Sequence, residues 1–184
     1  MLAAFDWFAT NATEVLVVLT FVLACTAVAQ FGLARRTAQR QLRAYVSVDR
    51  ADFYCSEEGE PSATIVLRNS GQTPARDVVS WASIDVLERR HEETLVPPEL
   101  VAVSGTTLGA NGVLTKFLRF RTLNTQEIAD IAAGSKVVYA FGKIEYRDVF
   151  GKLRTTSFRL GYLGAIPPKA GTVLNIADRG NDAD

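Results

Sequence analysis

With 184 residues and 48% hydrophobic side chains, the chain has room for one compact domain plus accessory segments. Its 20 basic and 20 acidic residues leave no net charge, which argues against a nucleic-acid binder. Cys25 and Cys55 lie in segments of different character and no CxxC or Cys/His spacing occurs, so neither a disulfide framework nor a cysteine metal site is expected.

The charge is unevenly spread along the chain. Residues 1–34 hold no Lys or Arg and two acids, Asp6 and Glu14, whereas 35–43 carry Arg35, Arg36, Arg40 and Arg43 with no acid. From Val15 to Ala29 only Thr20 and Thr26 interrupt an apolar run, which extends to Ala12 and Ala34 with few polar residues. A helix over 12–34 would span about 35 Å at ~1.5 Å per residue, enough for a hydrocarbon core of about 30 Å. Trp7 and Phe8 suit an aromatic belt at its outer end.

A cleavable signal is the competing reading, since Ala27-Val28-Ala29 precedes Gln30 and Val22–Cys25 loosely resembles a lipobox. Both need a basic segment ahead of the apolar run, and none is present. The four arginines follow it instead. The residues thus predict an uncleaved single-pass anchor with a short tail (1–11) outside and the arginine side in the cytoplasm. The same arginines are expected to contact anionic lipid head groups, at about 1 kcal/mol each. Residues 35–44 contain neither Gly nor Pro and are expected to continue the helix as a basic stalk.

After Ala44 the periodicity turns from helical to alternating. Tyr45–Asp49 and Thr64–Asn69 read as the first two strands, and the turn cluster Asn69–Pro74 leads into a third, Arg76–Val86. In that strand Val78, Ser80, Ala82, Ile84 and Val86 share one face, and Asp77, Trp81 and Asp85 the other. The charged stretch Glu88–Glu93 precedes Leu95-Val96 and the strand-breaking Pro97-Pro98. Asn111-Gly112 marks a turn before Leu114–Arg121. A short helix follows, with Asn124 as cap, Glu127 as its capping-box partner and Gly134 as its stop. Lys136–Arg147 and Leu153–Leu163 flank a four-residue hairpin loop, Asp148–Gly151.

This rhythm predicts a mainly β protein: an N-terminal transmembrane α-helix, then an antiparallel, immunoglobulin-like β-sandwich over 45–165 with one short helix. Residues 166–184 are expected to form a disordered tail.

The segment Leu67-Arg68-Asn69-Ser70-Gly71-Gln72-Thr73-Pro74-Ala75-Arg76-Asp77-Val78 resembles the "N-x-G-x-T-P-A-x-x-V" stretch of uncharacterised bacterial membrane-anchored proteins. It is also similar to the B–C region of CARDB-like immunoglobulin-like domains. Gly142–Gly151 with Thr155–Phe158 resembles the terminal hairpin of the same group. The resemblance implies the fold and a bacterial inner membrane, and carries no activity.

The single histidine, His91, sits in a charged stretch, and Cys55 has no neighbouring base. Glu57, Glu58 and Glu60 match no calcium loop, and neither GxxxxGK[ST] nor GxGxxG occurs. No enzyme, metal or cofactor is therefore expected; a hydrolase would need His91 or Cys55 in a deep pocket. Trp81, Tyr139 and Phe141 are expected on the sheet face away from the core, either packed under the helix and the Glu88–Glu93 loop or exposed to an unknown protein partner. The leading expectation is a non-enzymatic interaction or scaffolding module at the inner face of the membrane. A periplasm-facing envelope or carbohydrate-binding module is the alternative.

Overall fold

The computed structural model describes residues 11–89, 91, 94–97 and 105–183. Asp6, Trp7, Phe8, Arg90, Glu92, Glu93 and Pro98 lie outside them. The chain divides into two compact units, Met1–Gln41 and Leu42–Asp184.

The first unit is α1 (Ala12–Gln41), which is long and apolar enough to cross a membrane. None of its residues is buried, and Phe21, Val28 and Phe31 are widely exposed. Its two threonines satisfy themselves within the helix: Thr20 Oγ1 donates to Leu16 O at 2.7 Å and Thr26 Oγ1 to Leu23 O at 2.8 Å. Such internal bonding is what an apolar surround demands of a hydroxyl. The helix stops at Gln41, three residues short of the expected stalk end at Ala44. Propensity would carry it further, but Leu42–Ala44 are taken up by contacts of the second unit, described below.

The second unit is built from two antiparallel sheets. One contains β1 (Val46–Cys55), β2 (Pro61–Asn69) and β5 (Val113–Arg119) in the order β1-β2-β5. The other contains β3 (Ala75–Glu88), β4 (Thr106–Leu108), β6 (Lys136–Arg147), β7 (Leu153–Tyr162) and β8 (Asn175–Ile176) in the order β4-β3-β6-β7-β8, with β9 (Asp182–Ala183) also on β7. Strict alternation along β2 turns Ala63, Ile65 and Leu67 inward, where they meet Ile84, Val138, Ile144, Phe158 and Leu160 from the other sheet. The inner face of β3 is the expected one, with Val78 and Ile84 buried and Ala82 and Val86 packed against the core. The protein is mainly β, with two antiparallel sheets packed as a sandwich.

Several boundaries differ from expectation. β1 runs to Cys55 rather than Asp49. A bulge between Val48 and Arg50 breaks its alternation, and its charges are paired, Arg50 with Asp52 at 2.6 Å and Arg68 with Asp49 at 3.0 Å. The β6–β7 loop holds five residues, Asp148–Lys152, because the Asp148 side chain accepts from the N–H of Phe150 and Lys152 and pairs with Arg154 at 3.1 Å. The segment expected to be a disordered tail lies along β7 and β1. Phe53 N donates to Thr172 O at 2.9 Å, Leu174 N donates to Ala51 O at 2.8 Å, and the Leu174 side chain is buried. Its polar composition hid one well-placed leucine.

The short helix α2 (Thr125–Ala133) has the expected ends. Asn124 Oδ1 accepts from Glu127 N at 2.8 Å, Glu127 Oε2 accepts from Asn124 N at 3.0 Å, and Gly134 closes the helix in a left-handed conformation. Bonding to the Arg121 guanidinium, and then to the Asn124 N–H, holds the Glu127 carboxyl down at about 2 from its usual 4.5. A lowered carboxylate pKa adds stability that is complete above the ordinary value and lost as the pH falls from about 4.5 toward 2. Arg121 is half-exposed and screened, so Glu127→Gln is expected to cost about 1–2 kcal/mol at neutral pH. Thermal melts between pH 2 and 7 should show a smaller acid-side slope for that variant.

β5 is an edge strand of its sheet, and Lys116 points from it into the space between the sheets. Its ammonium donates to Ser80 O, and burial pushes its pKa down. An inward lysine makes an edge a poor template for a second strand. Lys116→Leu is therefore expected to leave the melting temperature close to that of the parent while increasing light scattering on storage or heating.

Candidate functional site

Three places in the second unit concentrate unusual chemistry. The first is the turn after β2. Asn69 is fully buried and its amide makes five hydrogen bonds. Nδ2 donates to Thr73 O (2.8 Å), Leu108 O (3.2 Å) and Gly109 O (3.0 Å), while Oδ1 accepts from Tyr45 N (3.1 Å) and Gly71 N (3.0 Å). Ser70 N donates to Tyr45 O at 2.8 Å, and Thr73 Oγ1 donates to Leu42 O. Gly71 lets the backbone of Leu42–Tyr45 cross directly over the turn: a Cβ there would stand 2.3 Å from Arg43 O.

From the other sheet, the buried Tyr146 hydroxyl donates to Ala44 O at 3.2 Å and accepts from Val46 N at 3.3 Å, and Thr156 Oγ1 donates to Val46 O at 2.8 Å. Residues 42–46, which immediately follow α1, are thus clamped by both sheets. The sequence marked Asn69–Pro74 as a turn; that its asparagine is a buried hub was not visible there.

The second place is the aromatic face. Trp81 and Phe141 meet edge to face with ring centroids 5.4 Å apart. Tyr139 and Phe141 are buried with Leu95 and Val137, and the half-buried Trp81, Leu87 and Ala177 pack against them. The cover comes from the loop after the charged stretch and from the C-terminal segment, not from α2. This largely covered surface is a poorer contact face than an open sheet would be. Of the arginines expected at a lipid surface, Arg35, Arg36 and Arg40 are exposed on α1, whereas Arg43 lies with its guanidinium carbon 4.1 Å from the Tyr45 ring centroid.

The third place is a groove where the edges of β1 and β7 approach each other. A cavity of about 690 Å³ lies there between Val48, Ala51, Phe158 and Leu160 on the strands and Leu174 and Ile176 on the C-terminal segment. Its lining is mainly apolar, with Asp49, Arg50 and Asp182 also along it. No motif in the sequence pointed to it, because it depends on two sheet edges meeting.

The chemically suggestive residues lie elsewhere. His91 is exposed, with Nδ1 3.6 Å from a Glu88 carboxylate oxygen. Cys55 ends β1, half-buried, and burial pushes its thiol pKa up, which disfavours the thiolate. Glu57, Glu58 and Glu60 are exposed, and among the described residues no three His, Cys, Asp or Glu side chains gather as a metal site would require.

No curated protein and no solved structure matches the chain. A family model described as "Domain of unknown function (DUF8453)" matches residues 7–162, and the chain belongs to that family.

Proposed function

We propose that this chain is a membrane-tethered, non-enzymatic β-sandwich module that binds or scaffolds a protein partner at the inner face of a bacterial membrane. The observation that carries this reading is α1: thirty residues, apolar over most of their length, none of them buried by the protein itself. A helix with so much exposed apolar surface calls for a lipid surround. Arg35, Arg36 and Arg40 near its C-terminal end favour a cytoplasmic sandwich by the positive-inside rule. The strand order β1-β2-β5 against β4-β3-β6-β7 supports an immunoglobulin-like, CARDB-like architecture, a scaffold that serves binding more often than catalysis. The raised thiol pKa of Cys55 and the open surface position of His91 support a non-enzymatic role.

A reporter active only outside the cytoplasm, fused after Asp184, tests the orientation. Inactivity with the fusion intact in the membrane fraction is the expected result. Strong activity would place the sandwich in the periplasm and favour an envelope-binding module. Affinity capture of the tagged, membrane-extracted chain then tests the partner reading, and repeated recovery of nothing above background would count against it.

A further inference from the structure

The chain enters the sandwich at one end, where Ala44 and Val46 bond to the Tyr146 hydroxyl and Val46 pairs with Asn69. Antiparallel pairing brings the β2–β3 turn, the β4–β5 turn and the β6–β7 hairpin to this same end, and the β1–β2 loop to the other. Past Tyr146 and its ladder partner Arg154 the hairpin continues through residues 147–153. At ~3.3 Å per residue its tip stands roughly 10 Å beyond the entry point.

The tip is apolar and open. Val149, Phe150 and Leu153 are 40%, 41% and 56% exposed, and Leu42, the first residue of the unit, 43%. The loop bonds its own backbone: Asp148 N donates to Lys152 O and Gly151 N to Asp148 O, each at 2.9 Å. Phe150 N and Lys152 N donate to the Asp148 carboxylate at 2.9 and 3.0 Å. A loop bonded internally can present apolar side chains to lipid at little polar cost.

Bases surround this tip. Arg76, Arg147 and Lys152 are exposed, and Arg43 and Arg154 lie near enough to act on the Tyr146 hydroxyl by charge. The acids at this end are the buried Asp148, taken up by Arg154 at 3.1 Å, and Asp77, 4.0 Å from Arg147. Arg76 directly opposes Arg147 in the β3–β6 ladder, a like-charge pair that an anion would relieve. The β1–β2 loop at the opposite end instead carries Glu57, Glu58 and Glu60 and no base. Residues 35–41 alone separate the apolar run from Leu42, about 10 Å of helix, so the basic end is the tethered one.

We propose that the β6–β7 hairpin is a second membrane contact: Val149 and Phe150 enter the head-group boundary of the bilayer that holds α1, and Arg76, Arg147 and Lys152 bind anionic lipid phosphates around them. Apolar side chains ringed by bases are the composition of segments that lie in a membrane interface. The inference rests on the membrane-tether reading above and adds an orientation to it. Two contacts fix how the sandwich stands on the bilayer and turn the end bearing Glu57, Glu58 and Glu60 toward solvent.

The test uses the full chain with Cys25→Ser and Cys55→Ser, in nanodiscs of phosphatidylcholine alone or with about one-third phosphatidylglycerol. An environment-sensitive dye is attached at Val149→Cys, beside an intact Phe150, and in a second chain at Glu58→Cys. Quenching by phosphatidylcholine with a doxyl group high on its acyl chain reports contact with lipid. The expected result is at least threefold stronger quenching at 149 than at 58, increased by phosphatidylglycerol and weakened by salt. Adding Phe150→Asp should bring quenching at 149 down to that at 58 without changing the melting temperature. Lys152→Glu should remove at least half of the gain from phosphatidylglycerol.

Equal quenching at the two sites, or quenching at 149 that ignores Phe150→Asp, would overturn the proposal. So would a protein captured by the parent chain and lost with Phe150→Asp while the dye meets no lipid, since the tip would then serve that protein. An alkaline wash separates this inference from the tether reading. A chain that stays in the membrane fraction without quenching at 149 keeps its anchor and loses only the hairpin contact, whereas release of the parent chain overturns both.

Discussion

Replacing Asn69 with alanine is expected to lower the unfolding free energy by about 3 kcal/mol or more, among the largest losses available to one polar side chain in this protein. The residue is fully buried, and its amide serves five backbone groups drawn from the start of β1, the β2–β3 turn and the β4–β5 turn. Alanine would remove a partner from two N–H donors and three carbonyls, of which Gly109 O keeps the Gly112 N–H at 2.9 Å. A buried donor left without a partner costs about 1–3 kcal/mol, more than a typical bond contributes.

Asn69→Asp sharpens the point at nearly constant shape. The carboxylate can still accept from Tyr45 N and Gly71 N, but it cannot donate to Thr73 O, Leu108 O and Gly109 O, and its charge faces those three carbonyls. It is expected to be at least as harmful as alanine. A lower urea midpoint with an unchanged slope would register the loss as stability rather than a change in compactness. Hydrogen exchange should show the amides of Tyr45 and Gly71 opening first.

Gly142→Ala is expected to cost a further large amount, about 3 kcal/mol, by a different route. Gly142 lies mid-strand in β6, opposite Ala82 of β3 and Phe158 of β7. A Cβ there would stand 2.3 Å from Trp81 O and 2.5 Å from the edge of the Phe158 ring, which covers the space the missing side chain leaves. The carbonyl belongs to the paired strand and cannot retreat without opening the ladder. The ring borders the groove, into which it has room to shift.

Gly109→Ala, where nothing lies within 4 Å, is the matched control and is expected to change stability by less than about 0.5 kcal/mol. Combining Gly142→Ala with Phe158→Leu should recover part of the loss if the ring is the main obstacle, and none of it if the Trp81 carbonyl is. Thermal melts of the four chains distinguish the two.

What could be read from the sequence followed from how locally each feature is encoded. The ends of α2 were legible because Asn124, Glu127 and Gly134 act within a single turn of their own helix. The inner face of β3 was legible because period-two alternation needs no knowledge of the neighbours. The apolar run of α1 was equally plain, but its end was not, since Gln41 is the last helical residue only because Thr73, Asn69 and Tyr146 claim the residues that follow.

β1 was underestimated because Asp49, Arg50 and Asp52 resemble a turn until their partners are known, Arg68 across the sheet for Asp49 and each other for Arg50 and Asp52. The aromatic face was grouped correctly, while its cover was not: Leu95 and Ala177 reach it from parts of the chain whose composition shows no sign of it. The groove was invisible for the same reason. It is a property of two edges, and no short stretch of sequence contains both.

The clamp on residues 42–46 has a consequence for how the protein is made. Synthesis delivers this segment directly behind the hydrophobic helix, and Asn69, Ser70 and Thr73 follow soon after, yet the groups that fix it from the other sheet come late. The Tyr146 hydroxyl bonds Ala44 and Val46 across 102 and 100 residues, and Thr156 reaches Val46 across 110. Loop closure over such distances is slow, and it cannot begin before β6 and β7 have left the ribosome. β1 can therefore pair with β2 well before the other sheet locks it in place. During that interval its apolar face has no permanent cover, so this stage of biogenesis is the one most exposed to mispairing.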